Sequence, residues 1–161
     1  MESSMKILFT KSDSLLSKII RGITKEGSSH TAVDTGLVIV HSNLLGINLE
    51  WTRFFKRKCV IVHTLERVTP TPDKDMARMD EILTAQENTP YDFGALIFNG
   101  LALLAKRLVG RPLPKVNLWQ TTGMHMCTEF VEEIASMENV AMITPEGLYN
   151  QLKASGLWKD V

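Results

Sequence analysis

"SHTAVDTGLVIVHS", residues 29–42, decides how the chain is read. Two runs rich in β-branched residues flank Asp34-Thr35-Gly36, so the stretch reads as a β-hairpin reversing at a glycine. A histidine stands near each end. With Thr35-Gly36 as a two-residue loop, Asp34 pairs with Leu37, and His30 lies opposite His41. A three-residue loop with a bulge at Gly36 moves the register by one, and both loops fit the residues.

Working outward, "KILFT" at 6–10 reads as a strand. Ser12 or Asp13 then caps a helix with Leu15, Leu16, Ile19, Ile20 and Ile23 at helical spacing, ended near Gly27. Beyond the hairpin, "GINLEW" at 46–51 and "CVIVHTL" at 59–65 are β-rich, and "RFFKRK" at 53–58 reads as a solvated edge or turn. Pro70 and Pro72 mark a break. "DKDMARMDEILTAQEN" at 73–88 follows as a helix with Met76, Met79, Ile82 and Leu83 inward. An apolar helix over 93–109 reads as buried, and an irregular connection runs over 110–123. Helices from Cys127 and from Thr144-Pro145 close the chain. Strands gather in the first half and helices in the second. The expectation is one α+β domain over 1–161, a small antiparallel β-sheet or barrel packed against helices.

Composition narrows the function classes. Eighteen basic and eighteen acidic residues balance, which argues against a nucleic-acid surface, since that needs a basic excess. Two cysteines, Cys59 and Cys127, make neither a disulfide framework nor a metal-type spacing; free thiols in a reducing, cytoplasmic setting are expected. "MESSMKILFTKSD" lacks the apolar run of a secretion signal. The longest apolar stretch, 93–110, is interrupted by Asn99, Lys106 and Arg107 and falls short of the roughly 20 residues of a transmembrane span. A buried helix is the favoured reading of it, and a lipid-contacting one the lesser.

The chemistry centres on "GMHMCTEFVEEI", residues 123–134, which puts Cys127 where a helix begins. Val131, Ile134 and Ala135 share its side, while Glu129, Glu132 and Glu133 fall toward an outer face. Unpaired N–H groups at a helix start favour thiolate over thiol and are ready donors to an oxyanion. A thiolate enzyme also needs a base and an orienter for that base. His125 is two residues from Cys127, and neighbours at that spacing do not face each other on a helix. His63 reads as the end of a strand. His30 and His41 remain, paired across the hairpin.

These residues carry a resemblance. The Ser-His strand start, glycine turn and second strand ending in His resemble the histidine hairpin of the NlpC-type cysteine peptidases. "TPYDFGALI" followed by "HMCTEF" resembles that family's tyrosine segment and cysteine helix. Here the histidines precede the cysteine, an order similar to the circularly permuted branch, the YiiX-like and lecithin-retinol-acyltransferase-like proteins. "ILFTKSDSLLSKIIRGIT", "SSH" and "ITPEGLYNQLKASG" look like the YiiX-like group. The resemblance implies a circularly permuted papain-like fold with its nucleophile at a helix N-terminus. It implies Cys127 as nucleophile, His30 as general base, His41 as orienter and Tyr91 beside the reacting carbonyl. Asp34 and Glu50 are rival orienters, and Thr128-Glu129 depart mildly from the residues usual after the cysteine. The expected activity is that of a cysteine amidase or peptidase, acting through an acyl-enzyme on a peptide, a peptidoglycan fragment or a γ-glutamyl bond. The alternatives are a lipid-directed acyltransferase or thioesterase with the 93–109 segment as acyl site, and a non-catalytic binding module. No metal and no cofactor is implied.

Overall fold

The computed structural model describes residues 5–43, 45–69, 73–85, 92–110, 112, 126–135 and 144–161. The strands are β1 (Lys6–Lys11), β2 (His30–Asp34), β3 (Val38–Asn43), β4 (Gly46–Trp51), β5 (Val60–Arg67) and β6 (Trp158–Asp160). The helices are α1 (Leu15–Thr24), α2 (Thr52–Lys58), α3 (Asp73–Ala85), α4 (Phe93–Val109), α5 (Cys127–Ile134) and α6 (Pro145–Ala154). The strands form one antiparallel sheet in the order β4-β3-β2-β1-β5-β6. The fold is therefore α+β.

Alternation along β1 explains the layering. Ile7 and Phe9 point to one face, where Val33, Val40 and Leu65 join Phe130, Val131 and Ile134 of α5 and Leu148 and Leu152 of α6 in the main core. Leu8 points to the other face, where Ala32, Ile39 and Phe55 of α2 make a second, smaller cluster. Burying both faces of β1 and β2 needs apolar residues on both, and "KILF" and "HTAV" provide them.

The hairpin register corrects both loops considered from sequence. Val33 pairs with Val40 and Asp34 with Ile39. The chain reverses at Gly36-Leu37 instead, with the Thr35 N–H donating to the Val38 carbonyl at 3.1 Å. Gly36 has φ +99°, and glycine holds a positive φ at no steric cost. The shift from the Thr35-Gly36 register is two residues. It keeps His30 and His41 on one face but sets them diagonally rather than directly opposite.

Several elements differ from the sequence expectation. "TRFFKRK" is helix α2, held by the buried Phe55, with Lys56, Arg57 and Lys58 in its last turn, where the helix dipole favours cations. The α1 cap is Ser14, whose hydroxyl accepts from the Ser17 N–H at 3.2 Å, and α1 ends at Lys25 in the left-handed conformation rather than at Gly27. On α3, Met79 and Ile82 are buried as expected, but Met76 is exposed and Asp75 is buried in an ion pair with Arg67. The α4 helix is not buried. Ala95 and Asn99 are its buried residues among those described, and its other side is open.

Candidate active site

Cys127 is the first residue of α5, after Met126 in extended conformation. The Met126 N–H donates to the Glu129 carboxylate at 3.0 Å, which fixes the helix entry. The acidic residues do not form an outer face. Glu132 is 2% exposed and Glu129 is buried with it, because α5 lies between the β2–β3 face of the sheet on one side and α3 and α6 on others. Glu133 alone of the three reaches the rim, where it pairs with Arg78.

Burial pushes the Cys127 thiol up, the reverse of the lowering expected from the helix start. The Thr31 amide and hydroxyl and the Thr128 amide favour the thiolate and offset part of this. Thr31 follows His30 on β2, so the strand that carries one candidate catalytic group also supports the other.

His30 and His41 meet. Nε2 of His30 lies 3.1 Å from Nδ1 of His41, with ring centroids 5.2 Å apart and nearly perpendicular. Nε2 of His41 lies 3.9 Å from the Glu50 carboxylate, which also pairs with Lys58. The Phe55 ring packs on His41 at 5.0 Å. Burial lowers the His30 pKa to about 3, helped by His41. Burial also lowers His41 to about 4; Glu50 opposes the shift and Lys58 adds to it. Both rings are neutral at neutral pH. With the His41 Nε2–H directed to Glu50, His41 Nδ1 is an acceptor and His30 Nε2–H its donor, which leaves the lone pair of His30 on Nδ1.

One cavity of about 320 Å³ gathers these groups: Cys127, His30, His41, Glu50 and Lys58 all line it, with Ser17 and Ser29 at its wall. Sheet alternation sets the histidines on the Phe55 face, whereas α5 packs on the opposite face. The two faces meet at the cavity because His30 is the first residue of β2, at the end of the sheet. The polar neighbours described for the Cys127 sulfur are Thr31 and Thr128, and those for His30 centre on His41. Thiol and imidazole thus share a cavity wall rather than a described hydrogen bond.

The other sequence candidates fall elsewhere. Asp34 is tied to the hairpin turn, accepting from the Gly36 N–H at 2.8 Å and pairing with Lys56 at 3.1 Å. His63 is mid-strand in β5, stacked on Tyr149 with centroids 4.2 Å apart and 3.3 Å from Glu146. Tyr91 and His125 lie outside the described residues. Two features went unread in the sequence: the place of Cys59 in this cavity, and the part α1 plays in an apolar cleft with the 93–109 segment. Cys59 lines the same cavity, its thiol donating to the Phe55 carbonyl at 3.3 Å and pushed up by burial. Cys127 also borders a second cavity of about 320 Å³ between α1 and α4, lined by Leu16, Ile20, Ile23, Leu96 and Leu103. The repeated apolar spacing of "LLSKII" beside an apolar 93–109 was the available signal for that cleft.

Among the described residues, no group of three His, Cys, Asp or Glu side chains is placed to hold a metal ion, and no helix is long and apolar enough to cross a membrane. Compared with known proteins, the sequence matches no family model and no curated protein.

Proposed function

We propose that the chain is a cysteine-dependent acyl hydrolase of the permuted papain-like type, related to the NlpC-type peptidases. The observation that carries this reading is the single cavity shared by the Cys127 thiol and the His30–His41–Glu50 series. His30 takes the Cys127 proton on Nδ1, directly or through one water, as the sulfur attacks an amide or ester carbonyl. The resting pair is a neutral thiol and a neutral imidazole, so proton transfer accompanies attack. The Cys127 amide, at the start of α5, takes the oxyanion. The His30 cation donates through Nε2 to His41, and Glu50 behind His41 stabilises the charge. His30 then protonates the leaving group, and water releases the acyl chain from sulfur.

Peptide, peptidoglycan and γ-glutamyl amides fit the reaction. The apolar cleft that reaches Cys127 favours a second substrate class, an ester or thioester with an aliphatic acyl chain laid between α1 and α4. The test is to trap the acyl-enzyme. The chain is incubated with muropeptides, γ-glutamyl amides and long-chain acyl thioesters, quenched in acid and analysed by mass spectrometry. An acyl adduct on Cys127 is expected, formed about a hundredfold more slowly in His30→Ala. An adduct on Cys59 instead, or on neither cysteine with any substrate, overturns the proposal.

A further inference from the structure

Helix α4 carries Ile97, Leu101, Leu104 and Leu108 at intervals of four, three and four residues, which places them in one stripe about 60° wide. The stripe is open: Ile97 and Leu101 are 54% exposed and Leu108 is 74% exposed. Beside it, α1 packs against α4 and exposes Leu15, at 75%, and Ile19. Acids and bases balance in the whole chain, yet neither helix contains an Asp or Glu. Lys18 stands one turn from Leu15 and next to Ile19. Arg107 sits one turn from Leu104, its guanidinium 3.4 Å from the Gly22 carbonyl of α1.

We infer that this α1–α4 face docks on an anionic membrane surface. Its leucines and isoleucines would enter the boundary between headgroups and acyl chains, and Lys18 and Arg107 would meet lipid phosphates. Two helices that carry an apolar stripe and, within themselves, only cationic charged side chains fit the pattern of an interfacial helix pair. A protein partner of mixed charge has no use for one sign alone. The α4 helix is too short to span a bilayer, so it lies along the surface. The cleft between the same two helices leads from this face to Cys127, so docking brings the thiol to lipid. The docking rests on the exposed face and goes beyond the proposed reaction, and the two fail separately.

The test is co-sedimentation of the full chain with vesicles of mixed phosphatidylglycerol and phosphatidylcholine, and with vesicles of phosphatidylcholine alone. Binding to the mixed vesicles is expected to be at least about tenfold tighter and to weaken in high salt. Leu15→Glu/Leu108→Glu and Lys18→Glu/Arg107→Glu should each lower it more than about tenfold. All four side chains are exposed, and circular dichroism checks that the variants are folded. Cys127→Ala should bind as the parent does, whatever its effect on acyl transfer. Absence of binding, binding indifferent to lipid charge, or equal binding by the face variants overturns the inference. So does a solution dimer that Leu15→Glu/Leu108→Glu converts to monomer, because a second copy would then cover the face.

Discussion

At the scale of single residues, the proposed reaction depends on three side chains, and their titration makes two sharp expectations. The Cys127 thiol is pushed up by burial, so its alkylation by iodoacetamide should rise about tenfold per pH unit and keep rising past pH 9. A plateau near neutral pH would mean a preformed thiolate and would contradict the buried neutral thiol. The histidines act on stability. Their pKa values are about 3 and 4 in the fold against about 6.5 unfolded, so between these limits the unfolded chain binds more protons. Their contribution is therefore intact above about pH 6.5 and is lost as pH falls toward 4 and 3. Thermal melts should show Tm dropping over that window, and His30→Asn/His41→Asn should flatten the drop; an equally steep acid limb in the double variant would refute it. The places of Cys127 and His30 were legible in the sequence because each begins a recognisable element, and that of His41 because it falls within the second β-branched run of the hairpin. Glu50 was legible only as one rival among two. What separates it from Asp34 is the β3–β4 pairing, which sets Glu50 diagonal to His41 while Asp34 is held at the Gly36 turn, and no residue pattern in the sequence marks that pairing.

At the scale of elements, regular periods were read well and short or compensated ones were not. α1, α5 and α6 follow from apolar spacing and capping residues, and β1, β2, β3 and β5 from β-branched runs. α2 has two turns and one buried side chain, Phe55, so no period could show in it. β6 has three residues and forms only by pairing with β5. The inward Asp75 on α3 contradicts any reading by hydropathy, because its partner Arg67 lies in a different element, at the end of β5 against the Trp158 ring, and periodicity within α3 cannot show it. Both ends of this ion pair are buried, so Asp75→Ala should leave a guanidinium without its counter-charge and cost about 3–5 kcal/mol. Urea unfolding measures this, and a loss below about 1 kcal/mol would mean that water reaches Arg67. The end of α1 offers the opposite sign. Lys25 holds φ 62°, where a side chain is strained and glycine is not, and its N–H closes the helix on the Arg21 carbonyl at 2.8 Å. Lys25→Gly should therefore stabilise by about 0.5–1 kcal/mol, the relief of strain outweighing the extra freedom of the unfolded chain. A loss of stability instead would show that the lysine side chain contributes contacts worth more than the strain.

At the scale of the whole molecule, stability is unevenly distributed, and the distribution follows the sheet. β1 is bonded on both edges, to β2 and β5, and both of its faces are covered, by α5 and α6 on one side and α2 on the other. Its amides can exchange with solvent only when the sheet itself opens. The α4 helix is the contrast. It meets α1 and buries Ala95 and Asn99 among its described side chains, while its leucine stripe stays in water. Little apolar area is lost when such a helix separates from the body, so its opening free energy lies well below that of the sheet. Hydrogen exchange followed by mass spectrometry should therefore show peptides from 93–109 exchanging long before those from 6–11 and 60–67. Anionic vesicles should slow the α4 and α1 peptides and leave the β1 and β5 peptides unchanged, because a bound surface covers the exposed stripe without touching the sheet. Uniform exchange across the chain would mean that α4 is held as firmly as the sheet, by contacts stronger than its burial implies. Slowing confined to β1 and β5 would place the vesicle effect on the wrong part of the molecule and remove the reason to connect the open helix with the cleft at Cys127.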